Sequence, residues 1–114
     1  MRIKRIFPLS LLAAGIVLLS SCEARHYEVV ERACVEDGRG TDYCRCMRKE
    51  MKKELGYQDF VVFSDLIGLG GNEQIKPESI LRIMDKHQLT PADFADTREA
   101  VSRAGPIAER RCIQ

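Results

Sequence analysis

The sequence predicts an all-α domain of about five short helices, opening on an N-terminal helical hairpin and stapled by two disulfides. Three observations carry this. Apolar residues recur at three- and four-residue spacing between turn signals. The one strand-like run, Phe60-Val61-Val62-Phe63, has no second such run to pair with. Five cysteines sit in a chain of only 114 residues, where covalent staples supplement a limited core.

The first helix is expected over 24–36, with Tyr27, Val30 and Cys34 at helical spacing. Asp37-Gly38-Arg39-Gly40 reads as a turn. Thr41 is the expected N-cap of a second helix, 42–55, which Gly56 ends. Its apolar side carries Cys44, Met47, Met51 and Leu55. Residues 58–67 read as a third helix through Phe60, Phe63 and Ile67, and 68–76, with Gly68, Gly70 and Gly71, as a loop. Pro77 suits the first position of a helix reaching about His87, with Ile80, Met84 and His87 on one face and Leu81 beside it. Thr90, Pro91 and Asp93 form a capping-box-like start, and Leu89 can pack on Phe94 as a staple. That helix is expected to run to about Ala104, to break at Gly105-Pro106, and to leave a last turn, 107–112, carrying Cys112.

Hydrophobic residues make up 45% and charged residues 31%, a balance that supports folding rather than wholesale disorder. A formal net charge of +1, no Trp, three Tyr and four Phe give no basis for nucleic-acid binding or a base-stacking platform.

Residues 1–22 read MRIKRIFPLSLLAAGIVLLSSC. A basic start of Arg2, Lys4 and Arg5 precedes an apolar run from Ile6 to Leu19, the order of a secretory signal. The run is short for a bilayer-spanning helix, which needs about 20 residues, and Pro8 interrupts it. Leu19-Ser20-Ser21-Cys22 resembles the lipobox of bacterial lipoproteins. The resemblance covers these 22 residues alone. It implies removal of the signal peptide 1–21, lipidation of Cys22 with diacylglycerol and palmitate-type chains, and a membrane-anchored single domain, 22–114. Glu23 stands where Asp would favour inner-membrane retention in enteric bacteria, so an outer-membrane location is favoured. Of the 114 residues 93 would remain, with 15 basic and 17 acidic side chains and a formal charge of −2.

If Cys22 carries lipid, Cys34, Cys44, Cys46 and Cys112 remain, an even number that suggests two disulfides in an exported chain. Cys44 and Cys46 lie about 200° apart around a helix, so they face different neighbours. Cys34–Cys44 with Cys46–Cys112 is the favoured pairing, because Cys34 ends the helix that would fold back beside the Cys44 face. Cys34–Cys46 with Cys44–Cys112 stays open.

No catalytic motif, cofactor site or metal site is expected. Cys44, Cys46, Met47 and Met51 offer soft ligands for Cu(I), but the bland reading is disulfides and core methionines. The same four cysteines lack the paired C-x-x-C spacing of a zinc site. Arg45, Arg48, Lys49 and Lys52 could lower a nearby thiol pKa, yet no C-x-x-C motif or βαβ pattern accompanies them. His26 and His87 could in principle serve a nucleophile, without a motif to support it. Gly68-Leu69-Gly70-Gly71 lacks the strand-to-helix context of a nucleotide loop, and Asp93, Asp96 and Glu99 read as a solvated helix start.

The best surface candidate is the basic face of the second helix, Arg45, Arg48, Lys49, Lys52 and Lys53, which projects to one side. Near a lipid anchor it could meet anionic headgroups or an acidic partner. Glu50 and Glu54 interrupt it and permit ion pairs within the helix. The expectation is therefore a lipid-anchored, non-enzymatic binding or assembly module of the bacterial envelope, with a protein partner and no nucleic acid. The alternative is a periplasm-facing thiol redox or copper-handling protein.

Overall fold

The computed structural model describes residues 24–113. The signal segment, Cys22 and the cleavage expected before it lie outside the described residues. Five helices and no strand occur among the described residues: α1 (24–36), α2 (Thr41–Gly68), α3 (Gly71–Ile75), α4 (Pro77–Lys86) and α5 (Pro91–Cys112).

The first two elements make the expected hairpin. Asp37 and Gly38 turn the chain, with Gly38 at φ 89, a conformation that favours glycine. α2 starts one residue earlier than the sequence suggests. Gly40 is its N-cap, its carbonyl accepting from the Cys44 amide at 3.0 Å, and no side-chain cap bond forms. Thr41 is thus the first helical residue rather than the cap.

Gly56, expected to end the second helix, does interrupt it. It takes φ 77 and ψ 170 inside α2, dividing it into a first arm, 41–55, and a second arm, 57–68. Only glycine adopts this conformation without strain. Beyond the kink, Phe63 of the second arm packs against the same buried cluster, Met51, Ala104 and Ala108, as Met47 and Leu55 of the first. The strand-like Phe60-Val61-Val62-Phe63 run is helical, and Phe60 and Val62 are buried.

Three further expectations are corrected. The loop at 68–76 contains the short helix α3, preceded by Gly70 at φ 79. Glu73 holds the junction to α4, accepting from Lys76 Nζ at 2.9 Å and Ser79 Oγ at 2.8 Å. In α4 the buried stripe is rotated: Ser79 and Ile83 are buried, Ile80, Met84 and His87 flank them, and Leu81 is 61% exposed. A serine can lie in that contact because its hydroxyl is satisfied by Glu73.

The third correction is α5, which runs unbroken through Gly105-Pro106 to Cys112. Proline within a helix removes one hydrogen bond and costs about 3 kcal/mol. Here Pro106 lies on the exposed side, while Ala104 and Ala108 are buried on either side of it and Cys112 is covalently held. Tertiary packing and the crosslink outweigh the local penalty. The start of α5 follows the sequence closely: Thr90 Oγ1 accepts from the Asp93 amide at 3.1 Å, and Asp93 Oδ2 accepts from the Thr90 amide at 3.0 Å.

The centre of the fold is small. Met51, Ala104 and Ala108 form its buried heart, with Met47, Leu55, Phe63 and Val101 packed around them. The disulfides reinforce it. Cys34–Cys44 ties α1 to α2, and Cys46–Cys112 ties α2 to the end of α5. Of the two pairings the sequence left open, this is the favoured one.

Candidate functional site: an apolar groove, a divided basic face and a histidine cluster

An apolar groove opens where four helical segments meet. Its cavity is about 490 Å³. It is lined by Val30 and Ala33 of α1, Met47 and Met51 of the first arm of α2, Phe63 and Ile67 of the second, and Val101 of α5. Asp37, Arg39 and Glu109 place charge of both signs at its edge. Small residues on α5 keep the groove open: Gly105 and Pro106 line it, and a Cβ at Gly105 would meet nothing within 4 Å. The volume falls in the range of about 300–1,000 Å³ typical of binding pockets. Sequence reasoning placed Met47 and Met51 on a core face and stopped there. The available signal was the small Ala104, Gly105 and Ala108 group opposite them.

The basic face is divided rather than continuous. Arg45 Nε and Arg48 Nη1 both donate to Glu31 of α1, at 3.3 and 3.0 Å. Arg48 and Lys52 also lie over the Tyr27 ring, 5.2 and 5.0 Å from its centre. Three of the five cations thus help fasten α1 to α2. Lys49 and Lys53 are exposed. Among the described residues, the ion pairs of Glu50 and Glu54 lead away from this face. Both carboxylates accept from Arg111 Nη1 of α5 at 3.0 and 2.6 Å, bonds that raise the Arg111 pKa further.

His26 and His87, unconnected in sequence, approach one stretch of α2. His26 Nδ1 lies 3.0 Å from Ser64 Oγ, and that buried hydroxyl donates to the His26 carbonyl at 3.5 Å. His87 Nε2 lies 2.7 Å from Asp65 Oδ2, which also accepts from Lys86 Nζ at 2.9 Å. Burial lowers the His26 pKa below 6.5; Asp65 opposes this and Lys86 adds to it. Burial by itself would raise the Asp65 pKa, but the hydrogen bonds from His87 and Lys86 outweigh it and hold the carboxyl below its usual range. Ser64, His26, Asp65 and His87 do not form a serine–histidine–carboxylate relay. The histidine beside Ser64 is not the one beside Asp65, and Ser64 is only 1% exposed.

The cysteines expected to be structural are all crosslinked, so Cys44 and Cys46 present no thiol beside Met47 and Met51. Among the described residues, no three His, Cys, Asp or Glu side chains gather where they could hold a metal ion. Comparison with known proteins gives no matching family model, no matching curated protein and no matching solved structure.

Proposed function

We propose that this chain is a small lipid-anchored, non-enzymatic binding module of the bacterial envelope, which holds a protein partner through apolar side chains seated in the groove. The observation that carries the reading is the groove itself. Helices locked by two disulfides line it, and the lining Met47 and Met51 adapt to varied apolar shapes. Charge of both signs at its edge, from Asp37, Arg39 and Glu109, suits the polar flanks of an amphipathic helix better than a bare hydrocarbon. The anchor rests on the lipobox-like Leu19-Ser20-Ser21-Cys22, with the outer membrane as the favoured site. The alternative, thiol redox or copper chemistry at Cys44 and Cys46, would first need the two disulfides opened.

The test is photocrosslinking in living cells from a benzophenone amino acid at position 39, at the groove edge, and at position 81, on the far side of α4. The reading expects one envelope protein captured from position 39 only. The purified pair should then bind, and Ile67→Lys in the groove should abolish binding while leaving thermal unfolding cooperative. Equal capture from both positions, or binding unaffected by Ile67→Lys, would overturn it.

A further inference from the structure

We infer that the Cys46–Cys112 crosslink gates the groove: the α5 side of the site is complete only once that bond is closed, so the chain gains its binding surface on oxidation, outside a reducing cytoplasm. This rests on the groove's role as the binding site. α5 lends the groove Val101, Gly105, Pro106 and Glu109, residues on both sides of the proline. Pro106 has no amide hydrogen, so the Ser102 carbonyl, one turn back, loses its helical donor. Gly105 beside it is a weak helix former. α5 is thus weakest where it borders the groove.

The two parts of α5 are held very differently. Before the proline, the Thr90–Asp93 capping box fixes the start, Thr97 Oγ1 donates to Asp59 Oδ1 of α2 at 2.9 Å, and Ala104 is buried. Beyond it, Ala108 is buried and Ile107 half-buried, yet the Ala108 methyl removes little apolar surface from water. Arg111 pairs with Glu50 and Glu54, but its side chain is 46% exposed, and surface pairs add little. The covalent bond at Cys112 is the strong hold on 107–112. It fastens them to Cys46, the neighbour of Met47 in the groove lining. With thiols in its place, the segment beyond Pro106 frays, and Glu109 leaves the groove's edge.

The same bond is reachable in the folded chain. It spans 66 positions against 10 for Cys34–Cys44, so closing it costs more chain entropy and follows the docking of α1 on α2. Both of its cysteines are half-exposed, whereas Cys44 of the other bond is fully buried. Cys46 lines a surface cleft with Arg45, Arg48 and Lys49. An oxidant of the disulfide class, protein or small molecule, can therefore reach the pair. By thiol–disulfide exchange, the Cys46 and Cys112 thiols give up two protons and two electrons and form their S–S bond. The S–S bond of the oxidant breaks, and it leaves as two thiols.

The test is hydrogen–deuterium exchange of the full chain expressed in a bacterium, with and without Cys46→Ser and Cys112→Ser together. Without the bond, exchange at 107–112 should speed about tenfold or more, while 92–104 and the first arm of α2 keep their protection. Adding Pro106→Ala should restore most of that protection, since the helix regains a donor. In cells, benzophenone capture from position 39 should fall several-fold in the uncrosslinked chain. Equal exchange with and without the bond overturns the gate. Loss of protection throughout the chain also overturns it, since the bond then holds the whole fold. Loosening that Pro106→Ala leaves unrelieved overturns the role of the proline. Capture undiminished without the bond overturns the gate and leaves the groove reading standing. No capture from the crosslinked chain overturns that reading, and the gate falls with it.

Discussion

His87 Nε2 lies 2.7 Å from Asp65 Oδ2, joining the end of α4 to the second arm of α2. One residue earlier, Ser64 meets His26 of α1. Two elements, α1 and α4, are thus held at adjacent positions of α2 through their histidines.

The first prediction follows from this cluster. His26 has a lowered pKa in the folded chain, chiefly through burial, so folding favours its neutral form. The stability this contributes is present above about pH 6.5 and is lost as pH falls from there through the lower folded value. Asp65 acts in a more acidic window: its folded pKa lies below 3.8, and its contribution disappears as pH falls through that folded value. Urea unfolding of the wild-type chain between pH 7 and 5 should show declining stability, and His26→Asn should flatten that slope. A slope equally steep in His26→Asn would contradict the assignment.

Removing the crosslinks should destabilise unequally. The chain-entropy model gives about 4 kcal/mol for the Cys46–Cys112 loop and about 3 kcal/mol for the Cys34–Cys44 loop, in keeping with their separations of 66 and 10 residues. Chemical denaturation of the paired alanine variants should therefore show the greater loss for Cys46→Ala with Cys112→Ala. The reverse order would mean that strain or residual unfolded structure dominates.

Met51→Ala should cost about 2–5 kcal/mol, since Met51 is buried against Ala104 and Ala108. Leu81→Ala, at an exposed position of α4, should stay within about 0.5 kcal/mol. Thermal unfolding of the two variants separates them directly, and a comparable loss at Leu81 would mean that α4 packs through the face the sequence suggested.

Thr90→Ala should cost about 1 kcal/mol by removing the acceptor for the Asp93 amide. Thr41→Ala should cost much less, because no side-chain bond caps α2. Amide exchange at the first turns of α5 and α2 checks both.

That contrast shows what was legible in the sequence. Local signals with one dominant interaction were readable: the Thr90-Pro91-Asp93 start, the turn at Asp37-Gly38, and the opposed faces of Cys44 and Cys46. Signals decided by tertiary contacts were not. Pro106 reads as a helix breaker, yet buried Ala104 and Ala108 and the Cys112 bond carry α5 through it. The rotated face of α4 depends on Glu73 reaching Ser79 from another helix. The basic face was visible as a row of five cations, but its division required knowing that Glu31 and Tyr27 lie across from it. The groove was least legible, because it forms where four segments fail to fill the space between them.

The central claim is a lipid-anchored module whose remaining cysteines are structural. Its most direct test is the intact mass of the full chain, expressed in a bacterium, extracted from membranes and alkylated without reduction. The account predicts loss of residues 1–21, a lipid adduct on Cys22, no alkyl label and four hydrogens fewer than the free thiols would carry. An unmodified Cys22, or labels on Cys44 and Cys46, would contradict it and give the lead to thiol or copper chemistry.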